Sequence, residues 1–107
     1  MSGFNDREKG FEKKFELDQE LAFKAKVRRN KLFGLWVANR LGIAEADAAA
    51  YAKEVIEADL EEPGDEDVLR KVTKDLDAKG KSATREQLIS ELQHFEAQAR
   101  KEIAEGR

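Results

Sequence analysis

Apolar residues recur at helical spacing along the chain, and apolar and polar residues do not alternate over any useful length. Recurrence at three- and four-residue intervals is typical of amphipathic α-helices, whereas alternation would indicate strands. The clearest example lies near the C-terminus, where apolar residues follow one another at intervals of four, three, four and four. These residues are Leu88, Leu92, Phe95, Ala99 and Ile103. The pattern therefore predicts an all-α protein.

Turn and capping signals divide this pattern into four helices. A glycine or proline after an apolar stripe indicates where a helix ends, and Gly42, Pro63 and Gly80 occupy such positions. Thr84 followed by Gln87 fits a capping box, in which side-chain and backbone groups satisfy each other at a helix start. The predicted helices cover about 17–41, 45–61, 65–79 and 84–105. Because the connections between them are short, we expect a four-helix bundle-like domain.

The apolar stripes of the four helices predict the hydrophobic core. Gly34 lies inside the first helix, where glycine costs about 1 kcal/mol relative to alanine. That cost indicates that another helix approaches closely at Gly34. The predicted core residues are Leu32, Leu35, Trp36, Tyr51, Val55, Val68, Val72, Leu76, Leu88, Leu92 and Phe95.

Three phenylalanines precede the predicted bundle in an otherwise highly charged segment. At about 100° per residue, Phe4, Phe11 and Phe15 fall on one narrow stripe of a helix. A second stripe, roughly a quarter-turn away by the same arithmetic, contains Leu17, Leu21, Arg28, Leu32 and Leu35. One straight helix cannot turn both stripes into one narrow seam, so the offset suggests that the leading segment has its own partner.

We interpret residues 1–16 as an N-terminal arm ahead of the domain at 17–107. Gly10 weakens an isolated helix by about 1 kcal/mol, and short helices are marginal in water. The arm is therefore expected to be mobile or only nascently helical in isolation and to fold in the groove of a partner. In the alternative interpretation, the first helix begins at residue 4 and its rings pack on the domain itself.

Composition narrows the function classes. A length of 107 residues allows one domain with a modest core, and a net charge of −3 argues against a nucleic-acid binder. The chain has no cysteine, which excludes disulfides and thiolate zinc sites. No segment resembles a secretory signal or approaches the roughly 18 apolar residues of a membrane span. We expect a cytoplasmic protein, monomeric when free, that binds no nucleic acid and inserts into no membrane.

The chain carries no recognisable catalytic motif, and we therefore expect no enzymatic activity. His94 is the only histidine, whereas a metal site needs several clustered ligands, so no metal is expected. The acidic residues between Glu57 and Asp67 lack the spacing of an EF-hand and are interpreted as a solvated helix end. No glycine-rich phosphate-binding loop occurs, so no cofactor is expected.

A basic run in the first helix has two interpretations. Lys24, Lys26, Arg28, Arg29 and Lys31 lie close together with no acidic residue among them. The simpler interpretation is a solvated helix face. The alternative is that Lys24, Arg28 and Arg29 contact a phosphate, which would allow weak binding of ATP or ADP.

Four sequence blocks carry a resemblance to a known family. They read FNDREKGFEKKF at 4–15, FKAKVRRNKLFGLW at 23–36, AYA at 50–52 and GDEDVLRKV at 64–72. In these blocks the chain is similar to the zeta subunit of the α-proteobacterial F-type ATP synthase, and the resemblance covers essentially the whole chain. Val27 and Phe33 stand where Ala and Leu are commoner in that family.

The resemblance implies a four-helix domain with a mobile inhibitory arm. It implies that the arm enters an α/β interface of the catalytic head, also reaches the central stalk, and blocks the rotation that accompanies ATP hydrolysis. The protein would then be cytoplasmic and peripheral at the inner membrane through the ATP synthase. The arm residues carried over are Phe4, Asn5, Asp6, Arg7, Glu8, Phe11, Glu12 and Phe15.

Two positions depart from the family pattern, and two other functions stay open. Asn5 stands where an acidic residue is common, and Gly10 stands where Ala is common, which raises the ordering cost of a bound helix. One alternative is a nucleotide-responsive sensor that binds its ligand through Lys24, Arg28 and Arg29. The other is an assembly subunit of the same complex without inhibitory action.

Overall fold

A computed structural model describes the backbone of residues 2–61 and 64–106, and the side chains of 19–60 and 64–106. Within these residues the chain forms four α-helices and no strand. They are α1 (Ser2–Leu41), α2 (Glu45–Glu61), α3 (Glu66–Ala78) and α4 (Arg85–Ala104). The prediction of an all-α, four-helix fold is confirmed. In the part described, no helix is long and apolar enough to cross a membrane.

The helix ends follow the local signals of the sequence. The bounds of α2 are as predicted, and those of α3 and α4 differ by one residue at each end. The first helix differs most, because α1 begins at Ser2 and the predicted helix at 17–41 is its C-terminal part. The side chains of residues 1–18 lie outside the described residues, so a mobile arm at 1–16 stays a prediction.

Backbone hydrogen bonds end α1 at Gly42. Gly42 has φ +78°, in the left-handed region that glycine adopts at low cost. Its N–H donates to the carbonyl of Asn39 at 3.1 Å, and the Ile43 N–H donates to that of Ala38 at 3.0 Å. This pair of bonds satisfies carbonyls that the helix itself leaves free, as in a Schellman motif. The chain then reverses within three residues into α2.

A capping box begins α4, as the sequence predicts. The Gln87 N–H donates to the Thr84 hydroxyl at 3.1 Å, and the Thr84 N–H donates to the Gln87 side-chain oxygen at 3.0 Å. Two backbone donors that would otherwise lack partners are satisfied in this way. The start of α4 is therefore determined locally, before any tertiary contact forms.

The core lies where α1 packs against both α2 and α4, with α3 closing the side next to α2. Seven of the predicted core residues are buried: Tyr51, Val55, Val68, Val72, Leu76, Leu88 and Leu92. Phe95 is half-buried, and its ring meets Phe33 edge-on at 6.4 Å between centroids. Each helix thus contributes an apolar face to one continuous cluster.

The buried face of α1 is not the one predicted. Leu32, Leu35 and Trp36 are only half-buried, and the fully buried positions are instead Phe33 and Val37. The sequence is apolar around most of the helix from residue 32 to 37, so periodicity alone does not identify the innermost stripe. The arrangement of α2 and α4 does, because the stripe between them is covered from both sides.

Gly34 marks a close crossing of α1 over α2, and this prediction is confirmed. A Cβ atom added at Gly34 would lie 2.7 Å from the Cα of Ala52 and 3.3 Å from a methyl carbon of Val55. The first contact is with backbone and cannot be relieved by a side-chain rotation. The absence of a side chain at Gly34 therefore sets the distance between the two helices.

We expect Gly34→Ala to destabilise the protein although alanine favours helix. Separating two packed helices to admit a methyl group typically costs about 1–3 kcal/mol, which exceeds the gain in propensity of about 1 kcal/mol. Urea unfolding followed by circular dichroism measures the difference. Ser90→Ala, an exposed site on α4, is the control and should change the free energy of unfolding by less than about 0.5 kcal/mol. A Gly34→Ala protein at least as stable as the original would contradict the crossing.

Candidate functional site

The residues assigned to the partner-binding arm belong to the first part of α1. The helix spans Ser2–Leu41 and therefore includes them all. They are Phe4, Asn5, Asp6, Arg7, Glu8, Phe11, Glu12 and Phe15, and their side chains lie outside the described residues. Their role in binding stays a prediction.

Helical geometry changes the interpretation of the phenylalanine stripe. In a continuous α-helix, 18 residues make about five turns, so residues 18 apart point the same way. On a helical wheel, sequence position 15 therefore falls in line with Phe33, and position 11 with Arg29. Phe33 and Arg29 are both buried against neighbouring helices. The core face of α1 thus follows Phe33 and Arg29, not the half-buried leucine stripe. On the wheel, the sequence positions of the three phenylalanines are in line with this face, and how their side chains lie stays a prediction.

The helices that cover α1 end well before its N-terminus. Near the end of α2, Asp59 lies 3.4 Å from the Lys26 ammonium. At the end of α4, Ile103 and Ala104 line a cleft together with Leu21 of α1. None of the described helices continues past this level. The other described helices therefore do not reach the part of α1 that carries the phenylalanine stripe. On the helical wheel, this stripe continues the face that the bundle buries.

A buried polar cluster joins α1 to α2 where the bundle ends. The Asp59 side chain is 2% exposed and accepts a hydrogen bond of 2.8 Å from the Asn30 amide. Arg29, 5% exposed, donates to the Asn30 side-chain oxygen at 2.9 Å and to Asp65 at 2.9 Å. Its guanidinium also lies 3.8 Å from Asp59. The cluster ties the base of the projecting helix to the last turn of α2 and to the residue before α3.

Charge within this cluster is balanced, but one oxygen is not satisfied. Asp59 Oδ1 is buried without a hydrogen-bond partner, while Oδ2 accepts from Asn30 and faces Lys26. Removing one partner from a buried ionic group leaves the others desolvated and unpaired, which is strongly destabilising. Because the groups pair in only one geometry, we interpret the cluster as fixing the register of α1 against α2.

Sequence reasoning missed this cluster. The sequence predicts Asp59 to lie in a solvated acidic helix end and Arg29 on a solvated basic face. Both predictions are wrong, because the two residues are buried. A usable signal was present in the spacing of Asn30, Phe33 and Val37. An asparagine on the stripe that carries buried apolar residues indicates a polar pairing in the seam.

The three residues considered for phosphate contact do not converge on one site. Lys24 pairs with Glu20 at 3.5 Å along α1, and Arg28 pairs with Glu102 of α4 at 3.6 Å. Arg29 is committed to the buried cluster. Each cation thus has its own carboxylate, and the arrangement offers no shared pocket for an anion.

A second polar contact joins α2 to α3. The Tyr51 hydroxyl donates to Asp75 at 2.7 Å, and the Lys71 ammonium lies 3.1 Å from the same oxygen. The ammonium also sits 5.1 Å from the centre of the Tyr51 ring. Burial, and then the hydrogen bond to Asp75, raise the pKa of Tyr51 far above its ordinary value. Tyr51 therefore stays a neutral donor at any physiological pH and holds the two helices together.

The described residues offer no metal site. His94 is exposed on α4, with its ring edge-on to Phe95 at 5.3 Å. Across the same residues, no group of three or more His, Cys, Asp or Glu side chains is arranged to hold a metal ion.

We expect Asp59→Ala to lower the free energy of unfolding by about 3 kcal/mol, because Asn30, Lys26 and Arg29 lose a buried partner. Chemical denaturation of the full chain measures this loss. Glu57→Ala removes an exposed carboxylate from the same helix and should cost less than about 0.5 kcal/mol. Equal effects of the two substitutions would show that the buried cluster contributes no more than surface charge.

Comparison with known structures supports the arrangement described. A chain solved by NMR in solution is 45% identical, with a TM-score of 0.69. The match covers 79% of this chain and 96% of the other. A search of curated proteins finds no match.

A comparison with protein families identifies the chain. The sequence model of one family, described as ATPase inhibitor subunit zeta, matches residues 1–102. The match begins in the arm, includes the whole of α2 and α3, and ends in the last turn of α4. With nearly its entire length matched, this chain belongs to the ATPase inhibitor subunit zeta family.

Proposed function

We propose that this chain inhibits an F-type ATP synthase by inserting residues 1–16 into its catalytic head. In this proposal the arm enters an α/β interface, reaches the central stalk and hinders the rotation that accompanies ATP hydrolysis. The observation that carries the proposal is the family match, which begins at residue 1 and so includes the arm as well as the bundle. The protein would be held at the membrane through the ATP synthase.

The arm has the chemistry of a segment that binds by burying aromatic rings. Phe4, Phe11 and Phe15 would each contribute about 1.5–3 kcal/mol if fully buried in the interface. Ordering the arm on binding subtracts from this sum. The flanking charges, among them Arg7 and Glu8, would align the helix in one register by charge complementarity.

The bundle provides the support that a mechanical obstacle needs. The buried cluster around Asp59 and the close crossing at Gly34 both fix α1 to α2. A helix held at its base transmits force along its axis, whereas a loosely tethered one would yield when the rotor turns. No catalysis by this chain is required, because an inserted helix acts by occupying space.

A nucleotide-responsive sensor is less well supported. It would use Lys24, Arg28 and Arg29, which have separate carboxylate partners and, in the case of Arg29, little exposure. An assembly subunit without inhibitory action predicts that the complex hydrolyses ATP equally with and without this chain. The same hydrolysis assay that tests inhibition therefore distinguishes the assembly role as well.

We expect Phe11→Ser combined with Phe15→Ser to weaken inhibition of the cognate ATP synthase by about 100-fold. Each buried ring contributes at least about 1.4 kcal/mol, a factor of ten in affinity. The measurement is ATP hydrolysis by the purified enzyme against inhibitor concentration. Deletion of residues 1–16 should abolish inhibition, with circular dichroism showing that the remaining chain stays helical.

Lys9→Ser is the matched control for the ring substitutions. Lys9 lies across the arm helix from the phenylalanine stripe, at about 100° per residue, and receives the same new side chain. It should inhibit within about twofold of the unmodified chain. Full inhibition by the Phe11→Ser, Phe15→Ser protein, or by the chain lacking residues 1–16, would overturn the proposal.

We expect Gly10→Ala to strengthen inhibition about fivefold. If the arm orders on binding, replacing glycine by alanine removes about 1 kcal/mol from the ordering cost. The ratio of half-inhibitory concentrations measures the gain, and far-ultraviolet circular dichroism of the free protein should show more helix. Weaker inhibition by the alanine variant would mean that helix formation in the arm does not limit binding.

A further inference from the structure

Exposed large apolar side chains are concentrated at one end of the bundle. Among the described residues they are Leu21, Phe23 and Leu60, which are 37%, 57% and 60% exposed. Leu21 and Phe23 lie on α1 just before Lys26, which pairs with Asp59. Leu60 follows Asp59 in the last turn of α2. All three therefore surround the level at which α1 leaves the bundle.

A small cleft beside Leu21 adds apolar surface on the side of α1 that faces α4. It has a volume of about 240 Å³ and lies between α1 and the end of α4. All but one of the residues that line it are apolar; they are Leu21, Ala22, Ala25, Arg100, Ile103 and Ala104. We call Leu21, Phe23, Leu60 and this cleft the apolar collar.

The position of the collar distinguishes it from ordinary surface hydrophobics. Single exposed apolar side chains are normal on soluble proteins, but three at one level, on different sides of α1, suit a partner that encloses the helix. In the part of the chain that the structure describes, the end of the bundle around Gly42 and Gly80 exposes no large apolar side chain. Both α2 and α4 end at this level, α2 at Glu61, directly after Leu60, and α4 at Ala104, which lines the cleft.

We propose that the apolar collar is a second contact surface for the protein that takes the arm, a proposal that rests on the inhibitory function above. The occupant is an apolar protein surface at the rim of the arm-binding site. This occupant follows from the continuity of α1, because one helix carries both the arm and two of the collar residues. At about 1.5 Å per residue, Phe15 lies only about 9–12 Å along the helix axis from Leu21 and Phe23.

A partner that encloses the arm as far as Phe15 therefore borders the collar. Contact there holds the bundle against the partner while the arm is inserted. The two contacts belong to one chain and lie a few residues apart, so the second forms with little further loss of freedom once the arm is bound. Its contribution appears chiefly as slower dissociation.

The test compares full-length variants in the hydrolysis assay and in direct binding to the ATP synthase. Phe23→Ser with Leu60→Ser removes the two most exposed collar side chains, and neither is buried, so the fold is retained. We expect the half-inhibitory concentration to rise about tenfold or more, with dissociation faster by a similar factor. Phe23→Leu with Leu60→Met keeps the surface apolar and should restore nearly all of the inhibition.

The outcomes separate this proposal from the inhibitory function itself. If Phe11→Ser with Phe15→Ser abolishes inhibition while the serine collar variant inhibits normally, the arm acts alone and the collar proposal is overturned. If the arm variant inhibits normally, the inhibitory proposal fails, and the collar fails with it as a partner of the arm. Sedimentation that shows self-association lost in the serine variant would assign the collar to a second copy instead. Binding of the unmodified protein, but not the serine variant, to anionic lipid vesicles would assign it to a membrane.

Discussion

The contact between Gly34 and the backbone of Ala52 sets how closely α1 and α2 approach, and the rest of the bundle is arranged around that crossing. At this distance Asn30 reaches Asp59, and Arg29 reaches Asp65 beyond it. The apolar residues of α1 next to the crossing, Phe33 above all, are then enclosed by α2 and α4 together. Close packing and buried polar pairing thus specify the same register.

This register determines where the bundle stops along α1. The polar cluster lies at the end of α2, and the cleft beside Leu21 lies at the end of α4. The chain places a buried polar α1–α2 contact at the base of the segment that the inhibitory proposal requires to act on another protein. A force on the N-terminal part of α1 would reach this polar cluster before it reached the core, since the core lies on the far side of the cluster.

The helix boundaries could be predicted because their causes are local. The Thr84–Gln87 capping box and the glycine after Leu41 involve residues a few positions apart and act in any tertiary setting. The family could also be predicted, since its motifs are continuous blocks of sequence. The inner face of α1 could not, because the apolar run around Phe33 offers several faces and only the neighbouring helices select one.

The burial of charged residues shows most clearly what the sequence determines and what only the tertiary structure determines. The sequence alone determined four helices, their ends apart from the start of α1, the glycine at the crossing and the aromatic stripe of the arm. Only the tertiary structure decided that Arg29 and Asp59 are interior while Phe23 and Leu60 face outward. The physical reason is that a side chain is buried only where neighbouring helices pack over it, and the sequence around that side chain does not say where they do. Asp59 meets Asn30 across the α1–α2 seam, whereas Leu60 lies in the last turn of α2 and Phe23 lies on α1 about one turn before Lys26, the residue that pairs with Asp59.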